Sequence, residues 1–253
     1  MRTLIWFSLW MTASALCARE GVVETLDHHS YLGHIRFEDN GCIVANARQG
    51  LLVHVPLTNV WLMSFTSPFF DAAEDVVAPR VIGADFRHPT PFAPRVELVS
   101  GSVVQADLYS IDDHLVRFRG VYGPPAISVS AVANLRFGWI RGQQISRVQR
   151  GAPGVVLSTG EFFEGDFRGY ADDGVTASSI LFGQRTFQIS TEAQAVVLRK
   201  SKVRDCVWAV RTEEGSRWLG DDLEVREHAL SLREPALGRL EFVPHEVLEI
   251  WRR

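Results

Sequence analysis

The chain has 253 residues, 46% of them hydrophobic and 10% aromatic, with a formal net charge of −4 and an isoelectric point near 6.1. That much apolar side chain excludes an intrinsically disordered chain. The mild acidity argues against a general nucleic-acid binder, which carries a basic footprint, so no nucleic-acid partner is expected.

Met1-Arg2 gives a positive start, and Thr3 to Thr12 form an apolar run with Trp6, Phe7 and Trp10. Ala13-Ser14-Ala15 offers a small-residue cleavage site, with Ala18 as a second. The run is too short to span a bilayer comfortably, so 1–18 reads as a secretory signal peptide. The expected location is the periplasm or the extracellular space. Cys17 would suit a lipoprotein, but Leu16 stands where a lipobox wants Gly, Ala or Ser. No other stretch reaches ~18 apolar residues, so no transmembrane segment is expected.

From residue 19 onward one pattern recurs four times, over 19–65, 95–140, 150–200 and 205–253. Its anchor is a small residue in the second strand: Gly33, Ala106, Gly165 and Gly220. Five residues earlier stands a turn glycine, Gly101, Gly160 or Gly215, replaced by His28 in the first segment. Soon after the anchor comes an acidic turn, Glu38-Asp39, Asp112-Asp113 and Asp172-Asp173; in the fourth segment Glu227 takes that place. A second glycine follows at Gly50, Gly123, Gly183 and Gly238, then an alternating strand such as Val53-His54-Val55 or Leu240-Glu241-Phe242. Pro56, Ser130, Ser190 and Pro244 precede a closing apolar pair. Period-two alternation buries one face of a strand, and Gly and Asp mark turns because each suits a tight reversal. Such repetition dominates the reading of a fold. About five short strands per segment predict a small barrel with few open edges. No capped helical periodicity stands out.

Between the first two segments lies a stretch unlike the rest, 66–94. It holds Pro68, Pro79, Pro89, Pro91 and Pro94 interleaved with Phe69, Phe70, Phe86 and Phe92. Prolines at this density rule out a regular strand interior. The segment is either a strap that buries its rings between two units or a recognition loop for a partner or glycan. Arg141, Arg147 and Arg150, and later Arg199, Lys200, Lys202 and Arg204, make basic linkers. They read as solvated connectors or as contacts to an anionic polymer.

The third segment, with Val155-Val156-Leu157-Ser158-Thr159-Gly160 followed by Gly165, Phe167 and Asp172, resembles the first signature of Sm-like proteins. Leu98, Gly101, Leu108, Ile111 and Asp112 of the second segment are similar. The resemblance implies strongly bent, five-stranded SH3/Sm-like barrels, hence an all-β chain of four tandem small barrels. It does not imply RNA binding. The base-contacting Asn of that family has no counterpart in His114-Leu115-Val116 or Gly174-Val175-Thr176, and Asn40 sits too early. The tandem layout also resembles repeats of uncharacterised secreted bacterial proteins, some of which carry carbohydrate-binding modules.

Features shared by all segments belong to the fold, so the paired carboxylates read as turn residues rather than as an acid/base couple. The histidines show no metal spacing; His28, His34 and His54 are the best available trio. No nucleophile elbow, P-loop, dinucleotide fingerprint or C-x-x-C occurs, so neither catalytic residue nor cofactor nor metal is assigned. Cys42 and Cys206 fall at different repeat positions and read as separate buried thiols, although export would permit a disulfide. Function is expected where the segments differ. The candidate contacts are Phe69, Phe70, Phe86, Phe92, Trp139 and Trp218, for an envelope protein or a polysaccharide. The reading is an exported, non-enzymatic binding or scaffold protein. The alternatives are a carbohydrate-binding accessory protein using Trp and Phe platforms and, behind it, an exported hydrolase.

Overall fold

The structure is a computed structural model, and it describes residues 18–46, 50–65, 94–105, 107–112, 114–119, 122–138, 148, 150–189 and 191–253. It is all-β and antiparallel. The first segment forms β1 (Arg19–Thr25), β2 (Ser30–Glu38), β3 (Gly41–Asn46), β4 (Leu51–Pro56) and β5 (Val60–Phe65). The second forms β6 (Arg95–Leu98), β7 (Val103–Gln105), β8 (Asp107–Ile111), β9 (Leu115–Arg119), β10 (Ala126–Ser128) and β11 (Val132–Arg136). The third forms β12 (Gly154–Leu157), β13 (Phe162–Glu164), β14 (Asp166–Ala171), β15 (Gly174–Ser179), β16 (Gly183–Gln188) and β17 (Ala193–Val197). The fourth forms β18 (Trp208–Thr212), β19 (Arg217–Gly220), β20 (Leu223–Arg226), β21 (Ala229–Glu234), β22 (Gly238–Phe242) and β23 (Val247–Arg252).

The anchors of the first and third segments sit where the second strand bends. In the first segment β2 runs unbroken through Gly33, pairing first with β1 and then with β3. In the third segment the same course divides at Gly165 into β13 and β14. The reason for glycine is close approach rather than flexibility. A Cβ on Gly33 would lie 2.3 Å from the Ala45 carbonyl oxygen, and one on Gly165 2.5 Å from that of Ser178. The bent strand crosses its neighbour too tightly for any side chain.

The acidic turns also follow from local chemistry. Asp172 and Asp173 have φ of 49° and 56° and make the two-residue reversal between β14 and β15. Positive φ at both central residues gives a turn whose twist matches that of the strands, and Asp and Asn tolerate it best. Asp112 works through its side chain, accepting the His114 and Leu115 N–H groups at 2.8 Å each. A further regularity is the bulge where the opening strand leaves the closing strand. It falls at Glu24/Thr25, at Val132/Asn134 on the closing strand of the second segment, at Val156/Leu157 and at Arg211/Thr212. A bulge adds bend and twist, which turns each sheet over its own core.

The strands do not close segment by segment. One 14-stranded sheet runs β13-β12-β17-β11-β6-β7-β19-β18-β23-β5-β1-β2-β3-β4. A 6-stranded sheet runs β10-β9-β8-β14-β15-β16, and β20-β21-β22 stand as a third. Among the described residues no closed barrel is found, and large shared sheets replace the separate barrels expected from the sequence. The physical reason lies in the closing strands and in the first half of the second strands. The opening strands pair on both sides within their own segments, whereas a closing strand keeps an open edge, and pairing it with a neighbour satisfies backbone groups that a 45-residue unit leaves open. Along the large sheet the segments follow the order third, second, fourth, first. Closing strands join third to second (Leu135 opposite Val196) and fourth to first (Ile250 opposite Met63). The main core runs continuously beneath all four segments, from Ile35 and Met63 to Leu135, Phe187, Trp218 and Ile250.

Candidate functional site

The second and fourth segments meet along their second strands, and the contact is reciprocal. Val103 and Arg217 face each other across it, each three residues before its anchor. The Gln105 N–H donates to Ser216 Oγ at 2.9 Å, and the Leu219 N–H donates to Ser102 Oγ at 3.0 Å. Both hydroxyls are fully buried. Each segment also reaches the hairpin tip of the other. The Tyr122 N–H donates to Glu214 Oε1 at 3.2 Å, and in return Ser100 and Ser102 donate their hydroxyls to Glu234 Oε1, the second at 2.9 Å. Ring carbons of Trp218 come so close to Gly123 that a Cβ there would lie 3.0 Å from them.

Glu234 is 1% exposed, yet both of its carboxyl oxygens are hydrogen-bonded. Its second oxygen accepts the Ala236 and Leu237 N–H groups at 2.6 and 2.8 Å. Two hydroxyls and two amides therefore surround one buried carboxylate, which burial alone would make costly. Glu214, on the turn that meets Tyr122, is less well served. Burial pushes its carboxyl above the ordinary range, with the Thr212 hydroxyl pulling the other way. Nothing in the sequence marks Glu234; only the packing of two distant segments reveals its role.

The tips of the other two segments face water. Ile180, Leu181 and Phe182 are consecutive in the β15–β16 reversal, with Leu181 84% and Phe182 73% exposed. Phe182 still touches the edge of the core through Phe163, at 6.0 Å between rings. In the first segment Leu51 and Leu52 open β4, and Leu32 lies outward on β2; all three are exposed. Each side chain left in water forgoes about 1.5–3 kcal/mol of burial, and clustered exposure of this kind marks interaction surfaces.

Of the candidate contacts read from sequence, Trp218 requires correction. It is fully buried, 6.0 Å from the Phe242 ring, and belongs to the core at the junction of second and fourth segments. A tryptophan on an alternating strand can face either way, and here it faces inward. Phe69, Phe70, Phe86, Phe92 and Trp139 lie outside the described residues, as do the whole of 66–93 and residues 1–17 of the expected signal peptide. Trp208 is buried, while Trp61 and Trp251 are half-buried.

The remaining polar candidates fall into structural places. Asp112, besides closing its turn, is bonded by Arg117 at 2.6 Å, and that guanidinium holds the carboxyl well below the usual range. His28 and His29 form a turn, with His29 3.2 Å from Asp27. His54 lies 3.7 Å from Glu38. Among the described residues no group of three or more His, Cys, Asp or Glu is placed to hold a metal ion. Cys42 and Cys206 are free thiols in separate buried clusters. Burial pushes the Cys42 thiol up to about 12, which leaves it inert. Among the described residues no helix is long and apolar enough to cross a membrane. Compared with known proteins, the chain matches no family model, no curated protein and no solved structure.

Proposed function

We propose that this chain is an exported, non-enzymatic binding or scaffold protein of the cell envelope. In this reading it is built from four tandem SH3/Sm-like β-units that share edges instead of closing individually. One observation carries it: buried polarity is used to fasten one segment to another, and apolar side chains are left in water at hairpin tips. Glu234 and its four donors hold the second segment to the fourth. Ile180, Leu181 and Phe182 have no such cover. An array of this kind acts by presenting tips and edges at fixed spacing, to an envelope protein or a polysaccharide.

The envelope assignment rests on the charged start, short apolar run and Ala13-Ser14-Ala15 site. Mass spectrometry of the protein purified from its native host tests it. The mature chain should begin after Ala15 or Ala18 and fractionate with the envelope. A cytosolic protein retaining Met1 would refute it. A polysaccharide ligand would be revealed by retarded migration in a gel containing that polymer. The buried placement of Trp208 and Trp218 weighs against tryptophan platforms as its means of binding.

A further inference from the structure

The turn between β15 and β16 is apolar throughout and stands in water. Ile180, Leu181 and Phe182 are 104%, 84% and 73% exposed. The local fold does not require this. The fourth segment builds the corresponding turn between β21 and β22 from Pro235-Ala236-Leu237, followed by Gly238 as Phe182 is followed by Gly183. Both glycines have positive φ, 84° and 69°. There Leu237 is half-buried and packs against the core. The third segment thus sets three large apolar side chains in water where the fourth uses smaller ones.

We propose that this turn is a membrane-docking tip that inserts Ile180, Leu181 and Phe182 into the headgroup and upper acyl region of a zwitterionic lipid bilayer. The inference deepens the envelope reading by naming the surface met there. Clustered apolar exposure marks either a protein or a membrane contact, and shape favours the membrane. Three consecutive side chains cannot share one face of the chain, so a single rigid surface does not cover them all, whereas fluid hydrocarbon closes around a projection. The tip is also held in place. Phe182 leans on Phe163 at 6.0 Å between rings, and Phe163 lies 5.0 Å from the buried Phe187. Ser179 Oγ accepts the Leu181 N–H at 3.3 Å. A backbone amide that is already bonded enters a bilayer at lower cost than a bare one.

Charge selects the lipid. The first two rungs below the tip, Ser179 opposite Gly183 and Ser178 opposite Gln184, carry no charge. Arg185, opposite Ala177, comes on the third rung, about 10 Å from Phe182 at ~3.3 Å per residue. An inserted tip brings it to the headgroups. Arg185 lies 3.4 Å from Glu192, and Arg168 on β14 lies 3.8 Å from Asp166. Each cation comes with its own carboxylate, and Glu164 adds a further negative charge next to Gly165 in the chain. Such a rim matches the paired charges of a zwitterionic headgroup and has no excess of cations to offer an anionic surface.

The test floats the full mature chain with phosphatidylcholine vesicles. The wild type should rise with the lipid, and Leu181→Glu should weaken binding roughly tenfold or more. Its melting curve should not move, because the side chain already stands in water. Leu52→Glu, an equally open position in the first segment, should leave binding unchanged. Leu181→Trp should emit further to the blue with vesicles and be quenched by lipid brominated on its acyl chains. Affinity should hold as salt rises from about 0.01 M to about 1 M, which shortens the screening length from about 30 Å to about 3 Å. Binding confined to anionic vesicles, or lost with salt, would show that charge holds the chain and would overturn the proposal. Equal losses in Leu52→Glu and Leu181→Glu would do the same, by spreading the contact over apolar surface at large. So would a chain that stays below the lipid with the Leu181→Trp emission unshifted, including where a partner protein then proves to cover the turn. That failure would leave the envelope assignment standing, since the mature N-terminus decides it.

Discussion

The hairpin tips of the second and fourth segments and those of the first and third occupy the same place in the local fold and have opposite fates. At the first pair the chain spends small residues and one carboxylate: Gly123 lies under Trp218, and Glu234 ties its own tip to Ser100 and Ser102. At the second pair it places Leu51-Leu52 and Ile180-Leu181-Phe182 in water. The same hairpin thus serves as internal fastening or as open surface, and side-chain size decides which. A tip buried against a neighbour has room for glycine and for a polar group with every bond made. A tip awaiting a partner keeps its apolar area.

The comparison breaks most visibly if the buried side is emptied. Trp218→Ala should cost about 3–5 kcal/mol, the range for removing a buried aromatic, because the ring packs on Phe242 and over Gly123 at once. Chemical denaturation followed by circular dichroism reads it. A cost below about 1 kcal/mol would mean the middle junction is not the packed interface described. Glu234→Ala should come next, at about 2–3 kcal/mol. It strands two hydroxyls and two amides, and two of those donors belong to another segment. Hydrogen exchange should then rise at both Ser102 and Leu237, since the carboxylate holds the two sides together.

Two glycines at matched positions sharpen the contrast. Gly123 has φ of +129° and the Trp218 ring beside it; Gly50 has φ of +62° and open space. Alanine at Gly50 meets only the left-handed backbone cost, about 1–2 kcal/mol. Alanine at Gly123 adds a conformation nearly reserved for glycine, about 1–3 kcal/mol, and must also displace the ring. The order of melting temperatures should be wild type, then Gly50→Ala, then Gly123→Ala. The reverse order would mean that the ring does not press on the second segment's tip.

What could be read from the sequence follows from the range of each interaction. The turns were legible because their chemistry is local: Asp172-Asp173 and the Glu227 reversal stand where glycine and acid spacing put them. The bend at Gly33 and Gly165 was legible for the same reason, since a missing side chain at a fixed offset is visible in the chain itself. Closure into four separate barrels was not legible. β5 pairs back with β1 of its own unit and also outward with β23, and that second pairing joins edges more than 180 residues apart in sequence. The Ser102–Glu234 bond is of this kind, spanning 132 residues. Burial of Trp218 was missed because alternation fixes which residues share a face and leaves open which face a neighbour covers. Phe182 reads as an ordinary turn residue until its counterpart Leu237 in the fourth segment is seen packed against the core.

The smallest effect separates the two regions by pH. Six residues before the anchor stand Glu214 at the covered junction and Asp27 at the open end. Burial raises the Glu214 carboxyl, whereas the Thr25 hydroxyl and His29 lower that of Asp27. The signs are opposite. With its folded pKa raised, Glu214 binds its proton more tightly in the native state, so its ionisation lowers stability as pH rises through that value. Asp27 contributes stability above its unfolded pKa and loses it as pH falls through its lowered folded pKa. Glu214→Gln keeps an oxygen for the Tyr122 N–H and removes the buried charge. It should therefore stabilise the chain at pH 7 by less than about 1 kcal/mol, and the gain should vanish as pH falls below the ordinary glutamate value near 4.5. Asp27→Asn should do the reverse at neutral pH, slightly lowering the melting temperature. Paired melting curves from pH 3 to 8, near the span over which carboxylates titrate, read both. Equal pH dependence in the two variants would mean that the fourth segment's turn is as open to water as the first, and the covered junction would lose its electrostatic signature.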